Sequence, residues 1–207
     1  MTIDESKLQD HLAWFVEKIS SDTYQTHDDD DPLLSALLEA ELKARNINID
    51  VQTICMLDRL KRSLSQHIGT LWQRILGSAE GWRDLGIGDT TGCDLINEDK
   101  KKVIELKNKW NTMNSSSLAS VSQKLAEQKD KGYDAYIGII NPKNGKAQKK
   151  ELKNGVKQVS GSHLFQLVFD DEGIHEHIIN QVKVMYEGKR KLTSQISLEE
   201  TLANLQL

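Results

Sequence analysis

The sequence predicts an α/β fold: a central mixed β-sheet flanked by helices, with a helical part at the N-terminus. Two observations carry this. Apolar residues recur at helical spacing through most of residues 5–76, and short β-type runs then begin around residue 93. The order of patterns, helix, hairpin, helix, strand, strand, helix, is that of a layered α/β domain. At 207 residues the chain is read as a single domain, 1–207, with an N-terminal helical part (1–49) and a core (50–207).

The elements follow in order. Residues 5–20 carry the stripe Leu8, Leu12, Phe15, Val16 and Ile19, one face of an amphipathic helix. Ser21 to Asp31 is a polar loop ending in four aspartates, 28–31. Adjacent aspartates cannot all point at one ion, and acids before a helix are accounted for by the helix dipole. Asp31-Pro32 reads as an N-cap followed by proline at the first helical position, opening a helix to about Arg45. A long helix is expected from about Asp50 to Leu76, with Gly69 inside it where another backbone comes close. Gly77, Gly81, Gly86, Gly88 and Gly92 mark an irregular connection. A hairpin follows: Cys93–Ile96, a turn over Asn97–Lys100, and a returning strand over Lys102–Lys107. A helix is expected over about Leu118–Lys131, a buried strand over Ala135–Ile140 and a turn over 141–145. A lysine-rich strand or loop over 146–157, a strand over Leu164–Phe169, a helix over Ile174–Tyr186 and a short helix over Ser197–Leu205 complete the chain. The apolar faces of the two N-terminal helices either pack on the core or form an interface between chains.

The hairpin carries the chemistry. Side chains alternate along a strand, so Val103, Glu105 and Lys107 share one face and Ile104 and Leu106 the other. Folding back through the turn sets Asp94 opposite or diagonal to Glu105. Two carboxylates and an ammonium on a half-buried sheet are costly to desolvate unless a cation offsets them. Mg²⁺ suits this set, because it takes one or two carboxylates and completes its shell with water and substrate phosphate. A neighbouring lysine can then orient water or stabilise charge on a phosphate. The spacing alone also fits ordinary strand-surface charges, since 28% of the chain is charged.

Asp94 with Glu105-Leu106-Lys107 resembles the PD-(D/E)XK nuclease superfamily, with Thr91-Gly92-Cys93-Asp94 standing where the proline-aspartate half would be. The departure is the missing proline. Longer words resemble type II restriction endonucleases: Gly-Thr-Leu-Trp-Gln at 69–73, Gly-Trp-Arg-Asp-Leu-Gly-Ile-Gly at 81–88, and Glu-Leu-Lys-Asn-Lys-Trp-Asn-Thr-Met-Asn-Ser-Ser-Ser at 105–117. The similarity is closest to a group that cuts short G/C-rich palindromes, and it spans about residues 66–140. The resemblance implies a restriction-endonuclease-like core. It also implies Mg²⁺ held by Asp94 and Glu105 with help from the Leu106 carbonyl, Lys107 acting on the attacking water, and an assisting acid from the preceding region, for which Glu80 is the candidate. It implies a homodimer cutting both strands of double-stranded DNA, and a cognate DNA methyltransferase as functional partner.

The net charge of −4 looks wrong for a DNA partner, but its distribution does not. Residues 1–99 carry 9 basic and 19 acidic side chains, whereas residues 100–157 carry 14 lysines against 5 acids. A local basic field attracts phosphate whatever the total charge, although a solvated lysine-rich surface is the plain alternative. Lys149, Lys150 and Lys153 are candidate contacts to DNA backbone. Lys109, Asn111, Asn114 and Ser115 follow the catalytic strand directly; they fit DNA contacts, and the serines also fit helix capping. Two cysteines, Cys55 and Cys93, make no disulfide framework, and no apolar run is long enough to span a membrane, which points to a reducing cytoplasm. A structure-specific DNA repair nuclease and a non-catalytic DNA-binding protein remain as alternatives at this level.

Overall fold

The computed structural model describes residues 4–21, 31–86, 88, 89 and 91–188. Its elements are α1 (Glu5–Ser21), α2 (Pro32–Ala44), α3 (Val51–Gly77), β1 (Arg83–Asp84), β2 (Leu95–Asn97), β3 (Lys102–Lys109), α4 (Ser115–Asp130), β4 (Asp134–Asn141), β5 (Lys149–Glu151), β6 (Lys157–Ser160) and α5 (Ser162–Phe169). Residues 174–188 are also helical and are labelled α6. The expected helix over Ser197–Leu205 and most of the 21–31 loop lie outside the described residues.

The six strands form one mixed sheet in the order β1-β2-β3-β4-β6-β5. β3, β4 and β6 are parallel; β1, β2 and β5 pair antiparallel with their neighbours. Parallel neighbours require a crossover, and α4 supplies it between β3 and β4. Each face of the sheet has its own core. On one face Leu95, Ile104, Tyr136 and Ile140 meet the apolar sides of α1, α3, α5 and α6. On the other, Ile96, Val103, Ala135, Ile137 and Ile139 meet Leu125 of α4. The predicted alternation on β3 therefore holds, with Val103 and Ile104 in different cores.

The start of α2 follows the expected chemistry, and α3 has a side-chain cap as well. Asp31 Oδ1 accepts the Leu33 N–H at 2.9 Å ahead of Pro32. Asp50 Oδ1 accepts the Thr53 N–H at 2.8 Å. The two N-terminal helices then diverge. All five apolar stripe residues of α1 are buried in the larger core, while α2 buries none of its residues.

Four expectations are corrected. Leu164–Phe169 is not a strand but most of helix α5, where Leu164, Phe165, Val168 and Phe169 are buried. A short apolar run has no periodicity to distinguish a buried strand from two turns of helix. The 83–84 stretch, expected to be irregular, adds edge strand β1. α4 begins at Ser115, three residues early, because Asn114 rather than a serine is the N-cap, its Oδ1 taking the Ser117 N–H at 2.8 Å. Gly69 admits no close backbone, since a Cβ added there would meet nothing within 4 Å. That role belongs to Gly77, whose Cβ would lie 2.7 Å from the Cβ and N of Asp84, so β1 can leave the end of α3 only beside a glycine. The lysine-rich stretch resolves into two antiparallel strands, β5 and β6, at the sheet edge.

Candidate active site

Continuing the β2–β3 register from Leu95 opposite Ile104 sets Asp94 opposite Glu105. Asp94 stands just before β2. Its N–H donates to the Ile104 carbonyl at 3.0 Å, and its carbonyl accepts from Leu85 N–H at 2.9 Å. Beyond that point β3 runs on while β2 has not yet begun. The Asp94 carboxylate fills the gap: Oδ2 accepts the Leu106 N–H at 2.6 Å. Because the N–H and C=O of a strand residue lie on the same side, the Leu106 carbonyl faces this edge too.

Lys107 Nζ donates to Glu105 Oε1 at 2.6 Å, with the two side chains 23% and 15% exposed. Asp94, Glu105, Leu106 and Lys107 are thus brought together as the spacing predicts. Burial, and next the Glu105 charge, push the Asp94 carboxyl up to about 6; the Leu106 N–H and Lys107 pull the other way. A carboxylate disfavoured by desolvation and a like-charged neighbour is one that a cation would stabilise. Neighbouring Cys93 is buried and its thiol is pushed up to about 11, so it stays a neutral thiol and is no nucleophile near neutral pH.

A cavity of about 260 Å³ opens here, shared by Asp94, Leu106, Lys107 and Asn108 with Gln66, Thr70 and Gln73 of α3. Sequence reading missed these helix residues. The signal was present: 66, 69, 70 and 73 fall at i, i+3, i+4 and i+7, a polar stripe along one side of a helix otherwise read for its apolar face. Gln73 Nε2 donates to Asp84 Oδ1 at 2.8 Å, and the Gly86 N–H donates to the same oxygen at 2.7 Å. Asp84 is close enough for its charge to raise the Asp94 carboxyl further. It is the acid from the preceding region that sits near the pair. Glu80, the expected one, is exposed in the turn after α3 and does not line this cavity.

The downstream candidates cluster at the same end of β3. Lys109 ends the strand, and Asn111, Asn114 and Ser115 are exposed between it and the first turn of α4. Asn114 is committed as the N-cap. Asn141 of β4 braces this end, its Nδ2 donating to both the carbonyl and the Oδ1 of Asn108 at 2.9 Å. Trp110, which sequence reading passed over, is 48% exposed here with Lys143 Nζ 5.0 Å from its ring centre. Lys149 and Lys150 lie elsewhere, on edge strand β5, which three strand-to-strand steps separate from β3. Lys153 is exposed in the turn after β5; the next residue, Asn154, donates its Nδ2 to the Ser122 carbonyl of α4 at 2.8 Å.

Among the described residues no group of three or more His, Cys, Asp or Glu forms a metal cage. The donor set at the hairpin is two carboxylates and a backbone carbonyl, all oxygen, which fits a hard divalent cation that retains water.

The chain is similar to known proteins. The chain is 38% identical over 89 residues to the type II restriction enzyme Eco47II of Escherichia coli, covering 40% of this chain and 36% of that protein. It is 28% identical over 89 residues to the type II restriction enzyme Sau96I of Staphylococcus aureus, covering 42% of this chain and 33% of that protein. The matched stretches thus span about a third of the length of these curated relatives. The family model described as Eco47II restriction endonuclease matches residues 3–188, far beyond the 66–140 in which the resemblance is visible by eye. With the hairpin cluster at the centre of that match, the chain belongs to the Eco47II restriction endonuclease family.

Proposed function

We propose that this protein is a site-specific DNA endonuclease that hydrolyses phosphodiester bonds with Mg²⁺ at the Asp94–Glu105 pair. The observation that carries the reading is the joint placement of Asp94, Glu105 and Lys107 at a strand end where β2 leaves β3 uncovered. Asp94, Glu105 and the Leu106 carbonyl would hold the ion. When bound, it supplies charge neutralisation at the scissile phosphate and activates the attacking water. The Leu106 N–H fixes one Asp94 oxygen and leaves the other to the cavity. Lys107, held by Glu105, places an ammonium where it can orient water and offset charge on a non-bridging phosphate oxygen. Water attacks phosphorus as the 3′ oxygen leaves, giving a 5′-phosphate and a 3′-hydroxyl. Lys109, Asn111 and Ser115, with Asn114 contributing beside its capping role, approach the DNA at this end of β3.

The substrate is a short G/C-rich palindrome in double-stranded DNA, cut by a homodimer. A palindrome presents two equivalent scissile phosphates, and a twofold axis shared by protein and DNA places one hairpin on each strand. α2 supports a second copy as partner: Leu33, Leu34 and Leu37 are 68%, 55% and 57% exposed, and Met56 and Leu57 at the start of α3 are also exposed. Leu33→Asp with Leu37→Asp should yield monomers by sedimentation; a wild-type chain that is monomeric both free and on DNA would overturn the dimer. A DNA methyltransferase of the same specificity is the functional partner, because the site must be protected in the cell's own DNA.

Digestion of a sequenced phage DNA with Mg²⁺, followed by mapping of fragment ends, tests the whole reading. Discrete fragments sharing one sequence at their ends are expected. A smear, or cuts placed by DNA structure rather than sequence, would refute it.

A further inference from the structure

A second cavity, of about 590 Å³, lies at the other end of β3 and shares no residue with the catalytic one. From Lys102 to Lys107 is roughly 16 Å along the strand at about 3.3 Å per residue. Its floor is a row across four strands: Lys102, Tyr136, Lys157 and Lys149. The registers Ile104 to Tyr136, Tyr136 to Lys157 and Lys157 to Glu151 put this row on the face that α5 covers. Glu105 and Lys107 are on the α4 face. Lys100 of the β2–β3 turn, Lys150, and His163 and Gln166 of α5 form the rim.

Positive charge is in excess here. Lys157 is committed to Asp134, 2.8 Å away. Lys100, Lys102, Lys149 and Lys150 make no ion pair among the described residues. Two acids line the cavity, Asp170, which accepts a hydrogen bond from Gln166 at 2.9 Å, and Glu151, so the four unpaired lysines outnumber the carboxylates two to one. Lysines on an exposed edge strand guard against strand addition, which accounts for Lys149 and Lys150. It does not account for Lys100 and Lys102, which reach the same cavity from the hairpin on the far side of β4. Like charges gathered round one concavity repel until an anion joins them. Several ammonium groups lining one cavity suit phosphate groups, whose oxygens each accept charge-assisted bonds. The volume, about 590 Å³, is that of a small-ligand site.

We infer that this cavity binds a phosphate ester of nucleic-acid type, either the backbone of a DNA strand or a free nucleotide, at a site separate from the catalytic cluster. The inference stands independently of the catalytic reading.

The test uses the full ¹⁵N-labelled chain without divalent metal, followed by NMR during titration with inorganic phosphate, thymidine 5′-monophosphate and a short duplex of arbitrary sequence. Saturable shifts are expected at the amides of Lys102, Tyr136, Gln158 and His163. Lys102→Ala with Lys149→Ala should weaken the binding roughly tenfold, as loss of charged hydrogen bonds does, and arginine at both positions should restore it. Saturation by the nucleotide but not the duplex identifies a free nucleotide as ligand; saturation by the duplex identifies backbone. Glu105→Ala, which dismantles the catalytic cluster, should leave the shifts intact, so failure of one reading is distinguishable from failure of the other. The inference is overturned if no probe shifts these amides. Shifts that never saturate and are matched by chloride at equal ionic strength would overturn it as well. Loss of the shifts in Glu105→Ala would overturn the separateness of the site.

Discussion

The two ends of β3 use the same side chain in opposite ways. At one end Lys107 is mostly buried and bound to Glu105 at 2.6 Å, beside a second carboxylate. At the other, Lys100 and Lys102 stand with Lys149 and Lys150 round an open cavity, and none of the four makes an ion pair among the described residues. The first lysine is held in one place by charge and burial, which is what positioning a reacting atom demands. The others are free to move toward an incoming anion. A lysine's role is therefore set by its partners and its solvent exposure rather than by its place in a lysine-rich stretch.

The largest effect is expected where the charges are paired. Asp94→Ala, Glu105→Ala or Lys107→Ala should each lower plasmid cleavage roughly a thousandfold or more, as removal of a group aligned on the reacting centre does, while the thermal transition survives. Near-wild-type cutting by Lys107→Ala would erase the contrast between the two ends.

A pH effect follows from Asp94. Its carboxyl titrates near 6 in the folded chain against an ordinary 3.8. A raised carboxyl pKa adds stability below about 4 that is lost as pH rises through 6, because the buried charge must then form without compensation. Asp94→Asn should therefore stabilise the metal-free protein at pH 8 by up to about 3 kcal/mol and hardly at all at pH 4. Urea titrations at the two pH values measure this, and equal effects at both would remove the desolvated charge from the account. For the same reason, cleavage should decline as pH falls below 6 and protons compete for Asp94.

Gly77→Ala sharpens the comparison from the scaffold side. The added methyl overlaps the Cβ and N of Asp84, so a loss of about 2 kcal/mol is expected, read as a lower denaturant midpoint. Cleavage by the surviving folded fraction should also drop, since Asp84 is displaced. Gln73→Ala is the mildest change: it releases Asp84 from one of its two bonds. A roughly tenfold lower single-turnover rate with DNA affinity unchanged is expected, about 1.4 kcal/mol. Equal losses in rate and affinity would make Gln73 a DNA contact instead of a positioning residue.

Sequence alone determined much of this protein. Period-2 and period-3.6 patterns are local, so the α1 stripe, the capped start of α2, the extent of α3, the β2–β3 hairpin and β4 are legible without coordinates. The Asp94–Glu105–Lys107 cluster is legible for the same reason, because a tight hairpin converts spacing along the chain into distance across a strand pair. Tertiary structure decided what depends on partners distant in sequence. α5 is helical because two turns bury four side chains against Trp72 and the sheet, and a run of six residues, five of them apolar, is too short to announce that period. Asp84 rather than Glu80 lies near Asp94 because β1 joins the sheet edge and α3 offers Gln73. The lysine-rich segment divides because β5 folds onto β6 at the far edge of the sheet, three strands from β3. Whether an apolar face meets the core or solvent also waits for the assembled fold: α1 and α2 share a helical pattern, and only α1 lies against α3 closely enough to be buried.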